Sequence, residues 1–153
     1  MGMFDAIDVA GSALSAERMR MDVTAENLAN AQTTRGADGQ PYRRKAVVLQ
    51  QQQVGQFGDA LAGALRTGGG STRRATAPTG VEVAGIVEDG QEQRLVYDPA
   101  HPDADERGYV AMPNVDPVAE MVDLITASRG YEANVTSMQT AKSMFMKTLE
   151  ILR

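Results

Sequence analysis

His101 is the chain's one histidine and stands between Pro99 and Pro102. A histidine can act as general base or metal ligand near neutral pH. A metal needs further ligands, however, and a nucleophilic serine needs a held geometry such as the Gly-x-Ser-x-Gly turn. No serine here has that context, and the chain has no cysteine, which excludes disulfides, thiolate chemistry and cysteine zinc sites. A solvent-facing or loop-packing histidine is the plainer reading. Asp103-Ala104-Asp105-Glu106-Arg107-Gly108 places carboxylates at positions one and three of a calcium loop and glycine at six. Position five is then Arg107 and position twelve Asn114, so a ligand charge and the bidentate carboxylate are missing and a charged turn is expected. A wall hydrolase would need a positioned acid and a second carboxylate, and Glu106 in this turn is its one candidate. Gly68-Gly69-Gly70 lacks the Gly-Lys-Ser/Thr ending of a phosphate loop. Arg43-Arg44-Lys45, with Arg35 near in sequence, could grip an acidic partner or form a solvated face. These residues predict no catalytic group, metal, cofactor or small-molecule substrate.

The elements around them are more informative. Ile7, Leu14, Met21 and Leu28 recur every seven residues, with Phe4, Gly11, Arg18 and Ala25 completing the stripe. Near the other end the alternation runs through Met121, Leu124, Ser128, Tyr131, Val135, Met138, Lys142, Phe145, Leu149 and Leu152. Such spacing predicts two helices, the first from Phe4 to Ala31. It stops in Asn30-Ala31-Gln32-Thr33-Thr34-Arg35-Gly36, where side chains that bond their own backbone precede a glycine, and Ala37 to Pro41 continue as a turn. Asp116 can cap the second helix and Pro117 suits its first position, giving a helix to about Leu152. Gly130 inside it costs roughly 1 kcal/mol relative to alanine and marks a bend or a close approach.

Between the helices, Tyr42 to Val54 reads as extended, with Gln50 to Gln53 equally able to prolong a short helix. Gly63 to Gly80 reads as a flexible loop. Val81 to Val87 and Gln93 to Tyr97 read as strands around the turn Glu88-Asp89-Gly90, and Tyr109 to Met112 as a further strand. The expected fold class is α+β: long terminal helices pair as a coiled-coil-like hairpin, with a small β-rich central module and a flexible loop. The boundaries fall at 1–36, 37–113 with the loop near 63–80, and 114–153, the two helical segments forming one domain.

At 153 residues with 42% hydrophobic but only 5% aromatic side chains, the chain has little apolar area for an autonomous globule, so a marginal monomer completed by partners is expected. A formal charge of −5 argues against nucleic-acid binding, which needs a basic surface. No apolar run approaches the roughly 18 residues of a membrane span, and Asp5, Asp8 and Glu17 interrupt any signal-peptide core. The default expectation is then a cytoplasmic protein. The stripes could serve a private hairpin packed on its own β module. Gly11, Arg18, Ser128 and Lys142 weaken such a seam and suit register-specific contacts with neighbours. The nine methionines, among them Met19, Met21, Met121, Met138, Met144 and Met146, suit repacking against non-identical surfaces, although an irregular core would use them too.

Ala25-Glu26-Asn27-Leu28-Ala29-Asn30-Ala31-Gln32-Thr33-Thr34-Arg35 resembles the asparagine-rich signature of flagellar rod and hook proteins. Further matches follow in the family's order: Pro41-Tyr42-Arg43-Arg44-Lys45, Leu95-Val96-Tyr97-Asp98-Pro99 with His101-Pro102-Asp103-Ala104-Asp105, and Ser128-Arg129-Gly130-Tyr131-Glu132-Ala133-Asn134-Val135. Departures are Gln32, Gly36 and Gly130, where the family usually has asparagine, threonine and alanine. The resemblance implies a structural subunit of the bacterial basal-body rod, a helical tube that transmits torque through the periplasm. It also implies export through the flagellar type III apparatus without signal cleavage, which replaces the cytoplasmic default. Implied partners are copies of itself, other proximal rod proteins, the adapter to the export gate and the distal rod protein. The stripe residues Phe4, Ile7, Leu14, Met21, Leu28, Met121, Leu124, Tyr131, Val135, Met138, Phe145, Leu149 and Leu152 are the expected subunit interface. A soluble coiled-coil module binding one protein partner is the alternative.

Overall fold

A computed structural model describes residues 3–36, 38–52 and 80–151. Asp116 begins the longer helix as its residue type suggests: its Oδ1 accepts from the Val118 N–H at 2.9 Å, satisfying one of the donors a helix start leaves open. From there α2 runs Pro117–Ile151, 35 residues, and the proline-free N-terminal stretch forms α1, Met3–Ala29, 27 residues. The two lie side by side and antiparallel, since Glu17 meets Gly130 and Asn27 meets Glu120. At Gly130 a Cβ would stand 3.3 Å from the Glu17 carboxyl carbon, so the glycine marks a close approach.

The packing is out of phase with the apolar stripe read from the sequence. The buried side chains of α1 are Ala10, Ala16, Val23 and Asn27, and those of α2 are Glu120, Ala127 and Ala141. Small residues let the axes approach, and the backbone and short side chains then exclude water that larger residues would have excluded at greater spacing. Ile7, Leu14, Met21 and Leu28 are only half-buried.

Four strands follow in chain order: β1 Lys45–Gln51, β2 Val81–Glu88, β3 Arg94–Tyr97 and β4 Tyr109–Met112. The extended reading of Tyr42 to Val54 is realised as β1, with residues from 53 on outside the described set. The strands form two antiparallel ribbons, β1 with β2 and β3 with β4. Thus β2 and β3, read from the sequence as flanking one turn, belong to different sheets. Seven-residue β1 offers β2 a longer partner than four-residue β3 can, and more paired length means more cross-strand contact. The β1–β2 ladder joins Lys45 to Glu88 and Gln51 to Val81, with an irregularity between Val48 and Leu49. At its open end Gln52 N–H donates to the Gly80 carbonyl at 2.8 Å, and the ribbon is pinned to α1 where Val81 N–H donates to Ser12 Oγ at 3.0 Å. A Cβ at residue 80 would meet Ser12 Oγ at 2.2 Å, so a side chain there would have to displace the hydroxyl that accepts from Val81. Apart from Gly80, the loop expected over 63–80 lies outside the described residues.

Candidate functional site

Asn27 sits two residues before the end of α1 and is 1% exposed. A buried primary amide must place both its donor and its acceptor, and this one does so against β1. Its Oδ1 accepts from the Lys45 N–H at 2.9 Å, and its Nδ2 donates to the Lys45 carbonyl at 2.8 Å. The side chain thereby imitates one peptide of a neighbouring strand and closes that point of the β1 edge. The Tyr42 hydroxyl also donates to Oδ1 at 2.9 Å, while Nδ2 reaches Glu120 Oε2 at 3.1 Å.

Glu120 is the other buried polar residue among those described, 1% exposed in the first turns of α2. Its Oε1 accepts from Arg44 Nε at 2.7 Å, and the Arg44 guanidinium also lies 3.6 Å from Asp123. A buried carboxylate without such partners would carry a desolvation cost of several kcal/mol. Lys45 pairs with Glu26 at 2.6 Å and stands 5.6 Å from the Tyr42 ring centre. Burial, together with the nearby Glu26, Glu120 and Glu88 carboxylates, pushes the Tyr42 hydroxyl up to about 12. The phenol therefore stays protonated and able to donate to Asn27. Of the basic triplet, Arg44 and Lys45 are engaged within the molecule, and Arg43 is the exposed member. Sequence reasoning named Asn27, Tyr42 and Arg44 through a motif but missed Glu120. Its one available signal was a carboxylate three residues after Pro117 on a helix otherwise starting with apolar residues.

A second tie joins the end of the asparagine-rich segment to the loop between β3 and β4. Thr34 Oγ1 donates to Asp103 Oδ2 at 2.9 Å, and Arg35 lies 3.1 Å from Asp103 Oδ1. His101 Nδ1 accepts from the Asp103 N–H at 3.1 Å, so this histidine fixes a turn. Asp105, read as a calcium-loop position, turns Oδ1 to the backbone N–H groups of Arg107 and Tyr109, at 2.9 and 2.8 Å. Gly108 takes φ +81°, and the Tyr97 and Tyr109 rings meet edge to face with centres 5.3 Å apart. Among the described residues no group of His, Asp and Glu is placed to hold a metal ion. No described helix is long and apolar enough to cross a membrane.

Of the expected interface residues, Met121, Tyr131 and Leu149 are exposed, while Leu124, Val135, Met138 and Phe145 are half-buried. The Phe4 side chain and Leu152 lie outside the described residues. Among the motif positions Leu28, Asn30, Thr33, Pro41 and Asn134 are half-buried, whereas Asp98, Pro99, Pro102 and Glu132 are exposed. Val118, Met121, Val122 and Ile125 form an exposed apolar strip on α2 that the other described residues leave uncovered.

Both helical ends that meet in the Asn27–Glu120 contact fall in segments shared with known proteins. Residues 7–37 match a family described as flagella basal body rod protein. Residues 106–151 match one described as flagellar basal body rod FlgEFG protein C-terminal. Flagellar basal-body rod protein FlgC of Bacillus subtilis is 48% identical over 155 residues, covering 99% of each chain. Its counterpart in Salmonella typhimurium is 45% identical, covering 99% of this chain and 98% of that one. That of Borreliella burgdorferi is 43% identical, covering 100% and 99%. The chain is therefore a rod protein of the flagellar basal body, a structural protein and not an enzyme. Within that class it belongs to the FlgC family.

Proposed function

We propose that this chain builds the proximal part of the rod and that its helix pair, residues 1–36 with 114–153, supplies the subunit-to-subunit core while 37–113 forms a module beside it. The observation that carries this reading is the strip Val118, Met121, Val122 and Ile125, at i, i+3, i+4 and i+7 on α2, with Val122 57% exposed. A face of that spacing is the pattern of a buried helix side, yet α1 covers the side of α2 that holds Glu120, Ala127 and Ala141. Neighbouring subunits complete the burial. Each subunit uses unlike faces toward its neighbours, a heterologous contact that propagates into a tube. Partners in this reading are further copies, other proximal rod proteins, the distal rod protein and the export-gate adapter. The chain reaches the periplasm through the type III export apparatus without signal cleavage, and ordering completed at docking keeps the free subunit soluble.

Val122→Asp with Ile125→Asp tests the reading more cleanly than Leu14→Asp, because Leu14 is half-buried within the subunit. Quantitative mass spectrometry of purified hook–basal bodies is expected to find the unprocessed wild-type chain at fixed stoichiometry and the double variant absent, with cellular expression unchanged. Normal incorporation of the variant would refute the assignment.

A further inference from the structure

We infer that the Asn27–Glu120–Arg44 contact is the device that selects the register of α1 along α2, a choice the apolar residues of the two helices leave open. Three observations carry this. The buried contact positions step largely in sevens, Ala16 and Val23 on one helix and Glu120, Ala127 and Ala141 on the other, flanked by the half-buried Ile7, Leu14, Met21 and Leu28 and by Leu124, Met138 and Phe145 at the same spacing. A slide of one such repeat therefore presents nearly the same pattern again. Helix α2 has 35 residues and α1 has 27, so a seven-residue slide toward the end of α2 keeps all of α1 against helix. Counting outward from the Asn27–Glu120 contact, Met3 lies level with residue 144 of α2. Beyond that level Met146, Leu149 and Ile151 are exposed. The slide would cover Leu149, about eight turns on from Glu120 on the same side of α2, while Met146 and Ile151 lie on the side of Met121 and Val122, so apolar burial alone does not oppose it.

Polar complementarity does. In the slid register Asn27 would stand opposite Ala127, and Glu120 would lose the Nδ2 donor 3.1 Å away. Arg44, 2.7 Å from Glu120 through Nε, belongs to the segment that Asn27 holds through both backbone groups of Lys45, so it would move away with α1. A buried charge stripped of its partners disfavours that arrangement strongly, and a single buried polar position is known to fix register in paired helices. Asn27, Arg44 and Glu120 are in this sense positioning residues: they determine which turn of α2 each turn of α1 meets, and how far the end of α2 projects.

The chain has no cysteine, so disulfide trapping in the full-length protein reads register without background. Glu17→Cys with Gly130→Cys reports the observed register, since a Cβ at Gly130 lies 3.5 Å from Glu17 Cγ. Glu17→Cys with Ser137→Cys reports the slid one. In the otherwise unchanged chain the first pair is expected to oxidise in preference to the second by roughly tenfold or more. Glu120→Leu with Arg44→Met, which leaves Asn27 its bonds to Lys45, is expected to keep its helix content and bring the two yields to about parity. Glu120→Gln keeps one acceptor oxygen, enough for Arg44 or Asn27 but not both, and is expected to retain a reduced preference for the first pair. A helical double variant that still traps only the first pair would overturn the inference. So would loss of helix content in that variant, which would make the contact a source of stability and not of choice, and so would parity in Glu120→Gln.

Discussion

The junction of Asn27, Arg44 and Glu120 and the loop between β3 and β4 are both dense in polar groups, and both contain segments that chemistry-minded reading would single out. They differ in what their carboxylates face. Glu120, 1% exposed, is answered by side chains from two other parts of the chain, 93 and 76 residues away in sequence. Asp105 is exposed and bonds to backbone two and four residues ahead. The first arrangement fixes how elements meet; the second fixes how one turn is shaped. A carboxylate's weight in the fold thus follows from the solvent it gave up and the sequence distance of its partners, not from the density of charge around it.

Substitutions can break this comparison or sharpen it. Glu120→Ala removes one member of the buried junction and is expected to cost on the order of 3 kcal/mol in denaturant unfolding. Asp105→Ala strips two exposed turn bonds and is expected to cost about 1 kcal/mol; equal losses would erase the distinction. Tyr42→Phe removes one bond to Asn27 and is likewise expected to cost about 1 kcal/mol near neutral pH, with a further signature in alkali. Because the folded hydroxyl titrates at about 12 and the ordinary value is 10.0, the folded state holds its proton more tightly than the unfolded chain. This contribution is complete below pH 10 and is lost as pH rises toward 12. Unfolding measured from pH 9 to 12 is therefore expected to fall less steeply in the phenylalanine variant. Asp103→Asn cuts the ion pair with Arg35, a side chain 70% exposed, and is expected to change stability by no more than about 0.5 kcal/mol. Gly130→Ala is expected to be smallest in net effect. The gain of roughly 1 kcal/mol in helix propensity is offset by the contact at 3.3 Å with Glu17, and thermal unfolding reads the balance.

Much of the scaffold is legible in the residues. The heptad stripes, Asp116 before Pro117 and the asparagine-rich stop give two helices close to the observed bounds, because capping and periodicity act over three or four residues. Strand positions were readable for the same local reason. Strand partners were not: β2 pairs with β1 across the intervening segment, although β3 follows it more closely in sequence. The candidate junction was half legible. Asn27 stood out within a motif, but nothing near Glu120 in sequence announces that it will be buried.

By itself the sequence determined the α+β class, the two long helices, the absence of thiol chemistry and, through its relatives, membership of a rod-protein family. Tertiary structure alone decided that small residues and not the large apolar stripe form the helix contact. It alone decided that Arg44 and Lys45 are spent inside the molecule, and that Asn27 serves as a surrogate strand. The reason is common to all three: burial and hydrogen-bond satisfaction are properties of groups brought together from distant parts of the chain, whereas periodicity and caps are written within a few consecutive residues.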